Sequence, residues 1–361
     1  MTSWADDRLS KRLSFSAERA EAIFTAVAKI DAIKTAIKLT VKLPTQTIRR
    51  LTQSVIVTST GASNRIEGNR LSDEQVEALY RNLRIRKLRT RDEQEVAGYL
   101  DMLELILGSY ADMKLSESLV LQIHRDMLKY SDKDERQRDN YKFGPNRVEA
   151  KDHDGNVVGV IFDPTPPHFT PKEMRELIDW LQWTDANTFK HPLIRIANFI
   201  FECLAIHPFQ DGNGRTSRLL TNLLLLQQGY TVTALTSHEK LIETGKAAYY
   251  LALNRAQSSW KSDEEDIYPW LIYFLEIVQA QSEKALDLIQ QDNIEILLSE
   301  KQLTLWHWAQ SRNQPEFRRK DAVEALGFPP RTVEAIIKKL EGLKRLARIG
   351  EGRSTRYRVR T

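Results

Sequence analysis

The sequence is poor in cysteine and has no long apolar run. Its 361 residues include one cysteine, Cys203, and seven histidines. A single cysteine cannot form an intrachain disulfide, and these numbers exclude a cysteine-rich zinc site. No window approaches the roughly 18 uncharged apolar residues that a membrane helix needs, and the N-terminus lacks the apolar core of a signal peptide. We therefore expect a cytoplasmic protein that makes no membrane contact.

Charge is nearly balanced over the whole chain but is unevenly distributed. The net charge is +4, while residues 315–361 contain thirteen Lys or Arg against six Asp or Glu. The rest of the chain is therefore slightly acidic. The content of 41% hydrophobic and 28% charged residues is typical of a soluble globular protein. The asymmetry indicates a basic C-terminal module attached to a slightly acidic body.

Apolar periodicity predicts a mainly α-helical chain in three regions, 1–110, 111–290 and 297–361. In the first region helices are predicted at 17–41, 47–59, 72–82 and 92–107. Ser72 and Gln75 are spaced as a capping box at the start of the third of these helices.

The second region contains one predicted β-hairpin. Residues 146–151 and 157–162 alternate enough to be strands, and Asp154-Gly155-Asn156 between them is typical of a turn. Prolines 164, 166 and 167 then prevent a helix before Thr170, a predicted N-cap, and the next helix is predicted to begin at Pro171. A lone hairpin is marginally stable, so this one must either pack on the helices or serve as a docking edge.

The polar segment 207–218 is predicted to be a loop between two buried helices. Gly212 and Gly214 allow the backbone to approach a phosphate, and the start of the following helix offers free N–H groups. Arg215 and Arg218, three residues apart, fall on one helix face and can bind polyphosphate oxygens. These residue types indicate an anion site.

Two other side chains in this segment can supply reaction chemistry. Asp211 can hold Mg²⁺, which binds through one or two carboxylates together with substrate phosphates. His207 can take the proton from an attacking hydroxyl. Singly, such a histidine is more often structural and such arginines are usually solvated. Their occurrence together within twelve residues favours phosphoryl or nucleotidyl transfer.

The segment His-Pro-Phe-Gln-Asp-Gly-Asn-Gly-Arg-Thr-Ser-Arg resembles the Fic family signature, His-Pro-Phe-x-[Asp/Glu]-Gly-Asn-Gly-Arg-x-x-Arg, at every specified position. The likeness extends from Thr58 to about Glu276. It implies a Fic-type helical domain with a β-hairpin flap. It also implies a protein adenylyltransferase that uses ATP and Mg²⁺ to place AMP on Tyr, Thr or Ser hydroxyls of a target protein or of itself.

The resemblance also implies what each signature residue does. His207 is the general base and Asp211 the Mg²⁺ ligand, while Phe209 anchors the loop in the core. The remaining residues bind the nucleotide, with Gly212, Asn213 and Gly214 as the anion cradle and Arg215 and Arg218 on the β and γ phosphates.

The identity of the transferred group rests on neighbouring positions. Doc-type members carry Ala-Asn-Lys-Arg where this chain has Gly-Asn-Gly-Arg, so it is similar to the AMP-transferring majority. Transfer of UMP, GMP or phosphocholine remains an alternative. Tyr250 and Leu253 are implied to wall the adenine pocket, and Gln257 stands where some relatives carry Asn.

An upstream segment resembles the inhibitory motif of the family, [Ser/Thr]-x-x-x-Glu-[Gly/Asn]. Residues 63–68 alone indicate only a polar turn after a helix, with Gly68 as a C-cap. The resemblance makes Ser63 and Glu67 inhibitory, because a Glu67–Arg218 ion pair keeps this arginine from the γ phosphate. A second hypothesis is that Glu67 positions a water that removes AMP.

Two surfaces are candidates for macromolecular partners. The hairpin at 146–162 lies where the family's target-binding flap is found, and a strand edge can pair with an extended target segment. A purely structural hairpin is the alternative.

In the third region, helices at 320–327 and 331–345 and a hairpin at 347–359 resemble a winged helix, a fold common in DNA binding. Its natural phosphate contacts are Arg331, Lys338, Arg353 and Arg356, and binding to protein is the alternative.

Two other functional classes stay open beside the transferase. One is a DNA-binding regulator that senses a nucleotide without turnover, although His207 would then have no purpose. The other is a toxin, for which the in-chain Glu67 indicates self-control in place of a separate antitoxin. The sequence leaves the oligomeric state open.

Overall fold

The computed structural model describes residues 4–40, 45–83, 87–151, 157–292, 298–312, 314, 316–343, 345–350 and 352–360. The chain is mainly α-helical, as predicted. It forms two compact units, Met1–Leu286 and Asp287–Thr361. None of the described helices is long and apolar enough to cross a membrane.

The first unit consists of helices and one hairpin. Its helices are α1 (Arg8–Lys11), α2 (Ala17–Thr40), α3 (Thr45–Ile66), α4 (Asp73–Asn82), α5 (Arg91–Ser109), α6 (Glu117–Met127), α7 (Thr170–Ala186), α8 (Pro192–Ile206), α9 (Asn213–Gln227), α10 (His238–Thr244) and α11 (Lys246–Gln257). Helix α12 (Tyr268–Asp292) begins in this unit and continues past its end at Leu286. The capping box of Ser72 and Gln75 at the start of α4 is confirmed.

The hairpin joins α6 to α7. Its strands are β1 (Val148–Lys151) and β2 (Val157–Phe162), which pair antiparallel with Val148 opposite Phe162. The predicted strands are thus confirmed, although the first begins at Val148 and not at Asn146. The predicted turn residues Asp154, Gly155 and Asn156 lie outside the described residues.

Helices α8 and α9 form the centre of the first unit. Every residue of α8 from Leu193 to Ile206 is buried, and α9 is buried at all but Gly214 and its last residue. Helices that are apolar on most sides must be enclosed by other elements. The short segment 207–212 is therefore fixed at both ends by the most buried part of the protein.

Two predicted boundaries were wrong because tertiary packing outweighs local propensity. Helix α9 begins at Asn213, so Arg215 and Arg218 lie in its first turns and the loop ends at Gly212. Thr170 lies inside the first turn of α7, where its hydroxyl donates to the Pro166 carbonyl at 3.1 Å; Phe169 occupies the N-cap.

Helix α3 also extends beyond its predicted end, because the polar Ser63 and Asn64 are fully buried against the rest of the unit. Its last turn closes with hydrogen bonds from the Gly68 N–H to the Arg65 carbonyl and from the Asn69 N–H to the Asn64 carbonyl, both 3.1 Å. This is a Schellman motif, which needs a left-handed residue, and Gly68 has φ +97°. Gly68 is therefore the C-terminal cap, and Glu67 precedes it.

The second unit has a core of its own. Its elements are α13 (Glu300–Gln310), β3 (Glu316–Phe317), α14 (Arg319–Leu326), α15 (Pro330–Gly342), β4 (Leu346–Ile349) and β5 (Arg356–Val359), with sheet order β3-β5-β4. The predicted pair of helices and the hairpin are present. Strand β3 was not anticipated, because two residues are too few to show alternation. The winged-helix assignment stays a prediction.

Candidate active site

His207 reverses the chain at the end of α8. It adopts a left-handed conformation, φ 53° and ψ 61°, and its N–H donates to the Cys203 carbonyl at 3.0 Å. A side chain with a β-carbon is unfavourable in this region, so neighbouring groups must hold it. Asn146 Nδ2 donates to the His207 carbonyl at 2.9 Å and to the Phe209 carbonyl at 2.6 Å.

A buried lysine supports the same segment. Lys142 Nζ donates to the Ile206 carbonyl and to Asn146 Oδ1, both at 2.9 Å. The Lys142 N–H donates to the Pro208 carbonyl at 2.8 Å. Burial lowers the pKa of Lys142 to about 8, so the ammonium is largely charged at neutral pH. Together Lys142 and Asn146 fix the backbone on both sides of His207.

The imidazole of His207 is neutral at physiological pH. Burial and the nearby ammonium of Lys142 lower its pKa to about 4, although the carboxylates of Glu67 and Asp211 oppose this shift. Its Nδ1 is buried and has no hydrogen-bond partner in the described part of the chain. A neutral imidazole can accept a proton, as a general base must.

Phe209 anchors the loop, and its predicted burial is confirmed. Its ring stacks on His124 with the centroids 3.7 Å apart and the planes at 2°. Nε2 of His124 lies 3.0 Å from the Asp211 carbonyl; since a carbonyl only accepts, Nε2 carries the proton. The Asn213 side chain accepts from the Phe209 N–H at 2.8 Å and donates to its carbonyl at 2.7 Å. Asn213 can thus join an anion cradle only through its backbone.

The first turn of α9 forms a concave polar surface. Gly212, with φ +81°, is the N-cap residue, and the N–H groups of the residues that follow have no acceptor within the helix. Helix N-termini of this kind bind anions. The Glu67 carboxylate lies directly on this turn, because a β-carbon added at Gly214 would overlap Glu67 Oε1.

Arg218 is buried and is held by the end of α3. Its Nε donates to Ser63 Oγ at 2.7 Å, and Nη2 donates to the Ser63 carbonyl at 3.0 Å and to Glu67 Oε1 at 2.7 Å. Burial alone would lower the pKa of Arg218, but the Glu67 carboxylate raises it. Nη1 has no hydrogen-bond partner among the described residues and lies beside Gly214, 3.2 Å from where a β-carbon would be.

Asp211 presents a half-exposed carboxylate. Oδ1 accepts from the Gly212 N–H at 2.6 Å, and Oδ2 faces Arg91 Nη2 at 3.2 Å and Arg215 Nη2 at 3.4 Å. No three His, Cys, Asp or Glu side chains in the described ranges are arranged to hold a metal together. A single carboxylate beside an anion-binding turn fits Mg²⁺, which completes its shell with phosphates and water.

A cavity of about 270 Å³ joins most of the predicted residues. It is lined by Glu67, Asn146, Arg147, His207, Gln210, Asp211, Gly212, Asn213 and Gly214. Leu253 on α11 is buried and Tyr250 is partly exposed, and neither lines this cavity. Burial and the Glu67 carboxylate raise the pKa of Tyr250.

Sequence reasoning missed the contacts that His124, Lys142 and Asn146 make with the signature loop. His124 follows Ile123 on the apolar face of α6, and a histidine within an apolar stripe was the one available signal. Lys142 lies in a stretch without periodicity, and Asn146, predicted as the first residue of a strand, precedes β1 in the structure. Their hydrogen bonds to main-chain carbonyls depend on tertiary structure and leave no sequence pattern.

Comparison with known proteins identifies the domain that carries this geometry. The profile of the Fic/DOC family matches residues 114–225. The chain is similar to protein adenylyltransferase fic-1 of Caenorhabditis elegans, with 28% identity over 238 residues, which are 65% of this chain and 42% of that protein. The chain thus spans less than half the length of this relative.

Solved structures show the same fold. A crystal structure of a Fic family protein from Desulfovibrio desulfuricans G20 has a TM-score of 0.62 and 25% identity, and the match covers 97% of this chain and 98% of that one. A structure of Fic-1 from C. elegans has a TM-score of 0.56 at 21% identity, covering 76% of this chain and 73% of the other. At 21% identity the second match supports only the fold.

Proposed function

The domain at residues 114–225 makes this chain a member of the Fic family, and we propose that the protein is an autoinhibited protein adenylyltransferase. It transfers AMP from ATP to a Tyr, Thr or Ser hydroxyl of a target protein or of itself. The observation that carries the proposal is the Glu67 carboxylate on Arg218 and Gly214, close to His207. The Glu67 carboxylate is bound by a buried guanidinium and a helix N-terminus, and these two groups bind a phosphate equally well.

In the reaction, the target hydroxyl attacks the α phosphorus, the bond to the pyrophosphate oxygen breaks, and His207 takes the hydroxyl proton. The neutral imidazole and the rigid backbone around it support this role. Asp211 would hold Mg²⁺, and the ion would supply positive charge to the phosphates. The first turn of α9, Arg215 and Arg218 bind the β and γ phosphates and so orient the bond that breaks.

Glu67 inhibits by occupying the phosphate position. Its carboxylate uses the Nη2 of Arg218 and lies against Gly214, so a γ phosphate would meet a like charge in the same place. ATP is then excluded or bound out of line with the attacking hydroxyl. Ser63 supports the inhibited state because it fixes the Arg218 guanidinium through two hydrogen bonds.

The flap and α11 are assigned the roles of target docking and base recognition. The two-stranded hairpin offers edges to which an extended target segment adds by main-chain hydrogen bonds. Tyr250 and Leu253 contact the adenine. We also propose a cytoplasmic location for the protein.

The test uses wild type, Glu67→Gly and Glu67→Gly/His207→Ala with ATP and Mg²⁺, each chain then weighed by mass spectrometry. We expect one or more AMP additions on Glu67→Gly, at least tenfold less on wild type, and none above background on the double variant. Parallel incubations with UTP, GTP and CDP-choline test the alternative groups.

Each departure from this pattern removes a particular part of the proposal. Equal modification of wild type and Glu67→Gly would exclude autoinhibition, and modification of the double variant would exclude His207 as the base. A gain of UMP, GMP or phosphocholine in place of AMP would change the substrate. No gain with any donor would exclude self-modification and favour a nucleotide-sensing regulator.

A further inference from the structure

Four charged side chains form a closed ring beside the signature loop. Arg91 Nε lies 2.7 Å from Glu95 Oε1, and Arg91 Nη2 lies 3.2 Å from Asp211 Oδ2. Arg215 closes the ring, with Nη2 3.4 Å from Asp211 Oδ2 and Nη1 3.5 Å from Glu95 Oε2. Arg91 and Glu95 belong to the first turns of α5, so this helix contributes to the site although it precedes the domain at 114–225.

The two arginines of the ring differ in their freedom to move. The Arg215 side chain is 3% exposed and lies within α9, whereas the Arg91 side chain is 50% exposed. The Asp211 carboxylate between them is 43% exposed. Water can therefore replace Asp211 as a partner of Arg91, and Glu95 remains to balance the guanidinium charge. Arg91 is therefore the more solvent-accessible of the two arginines.

We propose that Arg91 occupies the metal-binding oxygen of Asp211 in the free protein and must be displaced when a divalent cation arrives with its nucleotide. Glu95 is the anchor that keeps the guanidinium beside Asp211. Arg91 Nη2 and Arg215 Nη2 already lie beside Oδ2. A divalent cation at this carboxylate would add a third positive centre, and withdrawal of Arg91, the more exposed of the two guanidiniums, relieves that repulsion. Arg91 therefore lowers the preference of the site for metal-bound over metal-free nucleotide. The inference rests on the proposed function.

The test measures equilibrium binding of ATP by calorimetry, once in the presence of Mg²⁺ and once in EDTA. All proteins carry Glu67→Gly so that the phosphate site is open. The quantity compared is the ratio of the Kd for metal-free ATP to the Kd for MgATP. This ratio cancels any direct effect of Arg91 on the phosphates, because that effect enters both constants.

We expect Arg91→Met to raise the ratio about two- to fivefold, the range that a half-exposed ion pair supplies. Arg91→Lys should raise it less, because an ammonium still reaches the carboxylate. The same Arg91→Met change in an Asp211→Asn background should leave the ratio unchanged, since the carboxylate for which both cations compete is gone. Arg19→Met is the matched control: Arg19 pairs with Asp266 at 2.9 Å with exposures of 44% and 40%, and its removal should not change the ratio.

If Arg91→Met leaves the ratio unchanged or lowers it, the inference is overturned and Arg91 is a structural or phosphate-binding residue. An increase that persists with Asp211→Asn would also overturn it, because the effect would not pass through that carboxylate. Absence of ATP binding in the Glu67→Gly parent would overturn the proposed nucleotide site itself. The two failures are therefore distinguishable.

Discussion

His207 combines a left-handed backbone with an imidazole that burial keeps neutral. Its pKa of about 4 lies below the ordinary value of 6.5. Between these two pH values the unfolded chain binds a proton that the folded protein does not. The free energy of unfolding therefore decreases as the pH falls from 6.5 towards 4, and this contribution to stability is fully present only above pH 6.5.

A histidine NMR titration tests this environment. The resonance of His207, assigned by its loss in His207→Gln, should keep its chemical shift from about pH 8 to about pH 5 and change only below that, since its pKa is about 4. In Glu67→Gly the midpoint should fall further, because Glu67 favours the protonated imidazole. His168→Gln, at an exposed position, serves as the assignment control. A midpoint near the ordinary value of 6.5 for His207 would contradict the burial.

At the scale of elements, Glu67, the proposed inhibitory residue, stands at a helix end that three neighbouring helices hold. Arg65, in the last turn of α3, pairs through Nε with Glu243 of α10 at 2.5 Å and through Nη2 with Asp73 of α4 at 2.8 Å. Lys246 Nζ of α11 donates to the Ile66 carbonyl at 2.6 Å. These contacts fix the turn that positions Glu67 on Arg218.

Loosening this helix end should release part of the inhibition. We expect Arg65→Met to raise self-modification of the otherwise wild-type protein about fivefold, which corresponds to about 1 kcal/mol of lost positioning, while leaving it below that of Glu67→Gly. Arg49→Met removes an exposed arginine from the same helix and should leave the rate unchanged. If Arg65→Met were no faster than Arg49→Met, the ion pairs of Arg65 would not contribute to inhibition.

The same helix end shows where sequence reasoning succeeds and where it stops. Ser72 and Gln75 were predicted because a capping box depends on two residues at a fixed spacing. The extension of α3 was not, because Ser63 and Asn64 favour turns locally and are helical here through burial in the folded unit. The start of α9 at Asn213 was missed for a similar reason, since its glycines are typical of loops.

The residues of the site also differ in whether a local sequence pattern reveals them. His207, Asp211 and the two glycines could be predicted because their residue types carry chemistry within one short segment. The ring of Arg91, Glu95, Asp211 and Arg215 could not, since it joins α5 to a loop 120 residues away in sequence. Long-range pairing of ordinary charged residues gives no local pattern.

At the scale of the whole molecule, most of the excess positive charge lies in a unit with a separate core. The core consists of buried side chains of α13, α14, α15 and the sheet, including Trp306, Phe317 and Ile336. The buried face of α15 leaves Arg331 and Lys338 exposed. On the sheet, Glu316 pairs with Arg356 at 3.5 Å and also with Arg358, which reduces the positive field there. The Arg353 side chain lies outside the described part of the chain.

The predicted DNA contact therefore depends on α15 more than on the hairpin, and salt dependence tests it. A lysine that contacts a phosphate releases about one counterion, so Lys338→Ala should lower the slope of log affinity against log salt by about one. The measurement is fluorescence anisotropy of a labelled duplex titrated with the full chain at several salt concentrations.

Lys284→Ala removes the same charge from an exposed position on α12 and should change the slope much less. Equal effects of the two substitutions would mean that net charge alone attracts the duplex. Absence of binding at low salt would leave a protein as the partner of this basic unit.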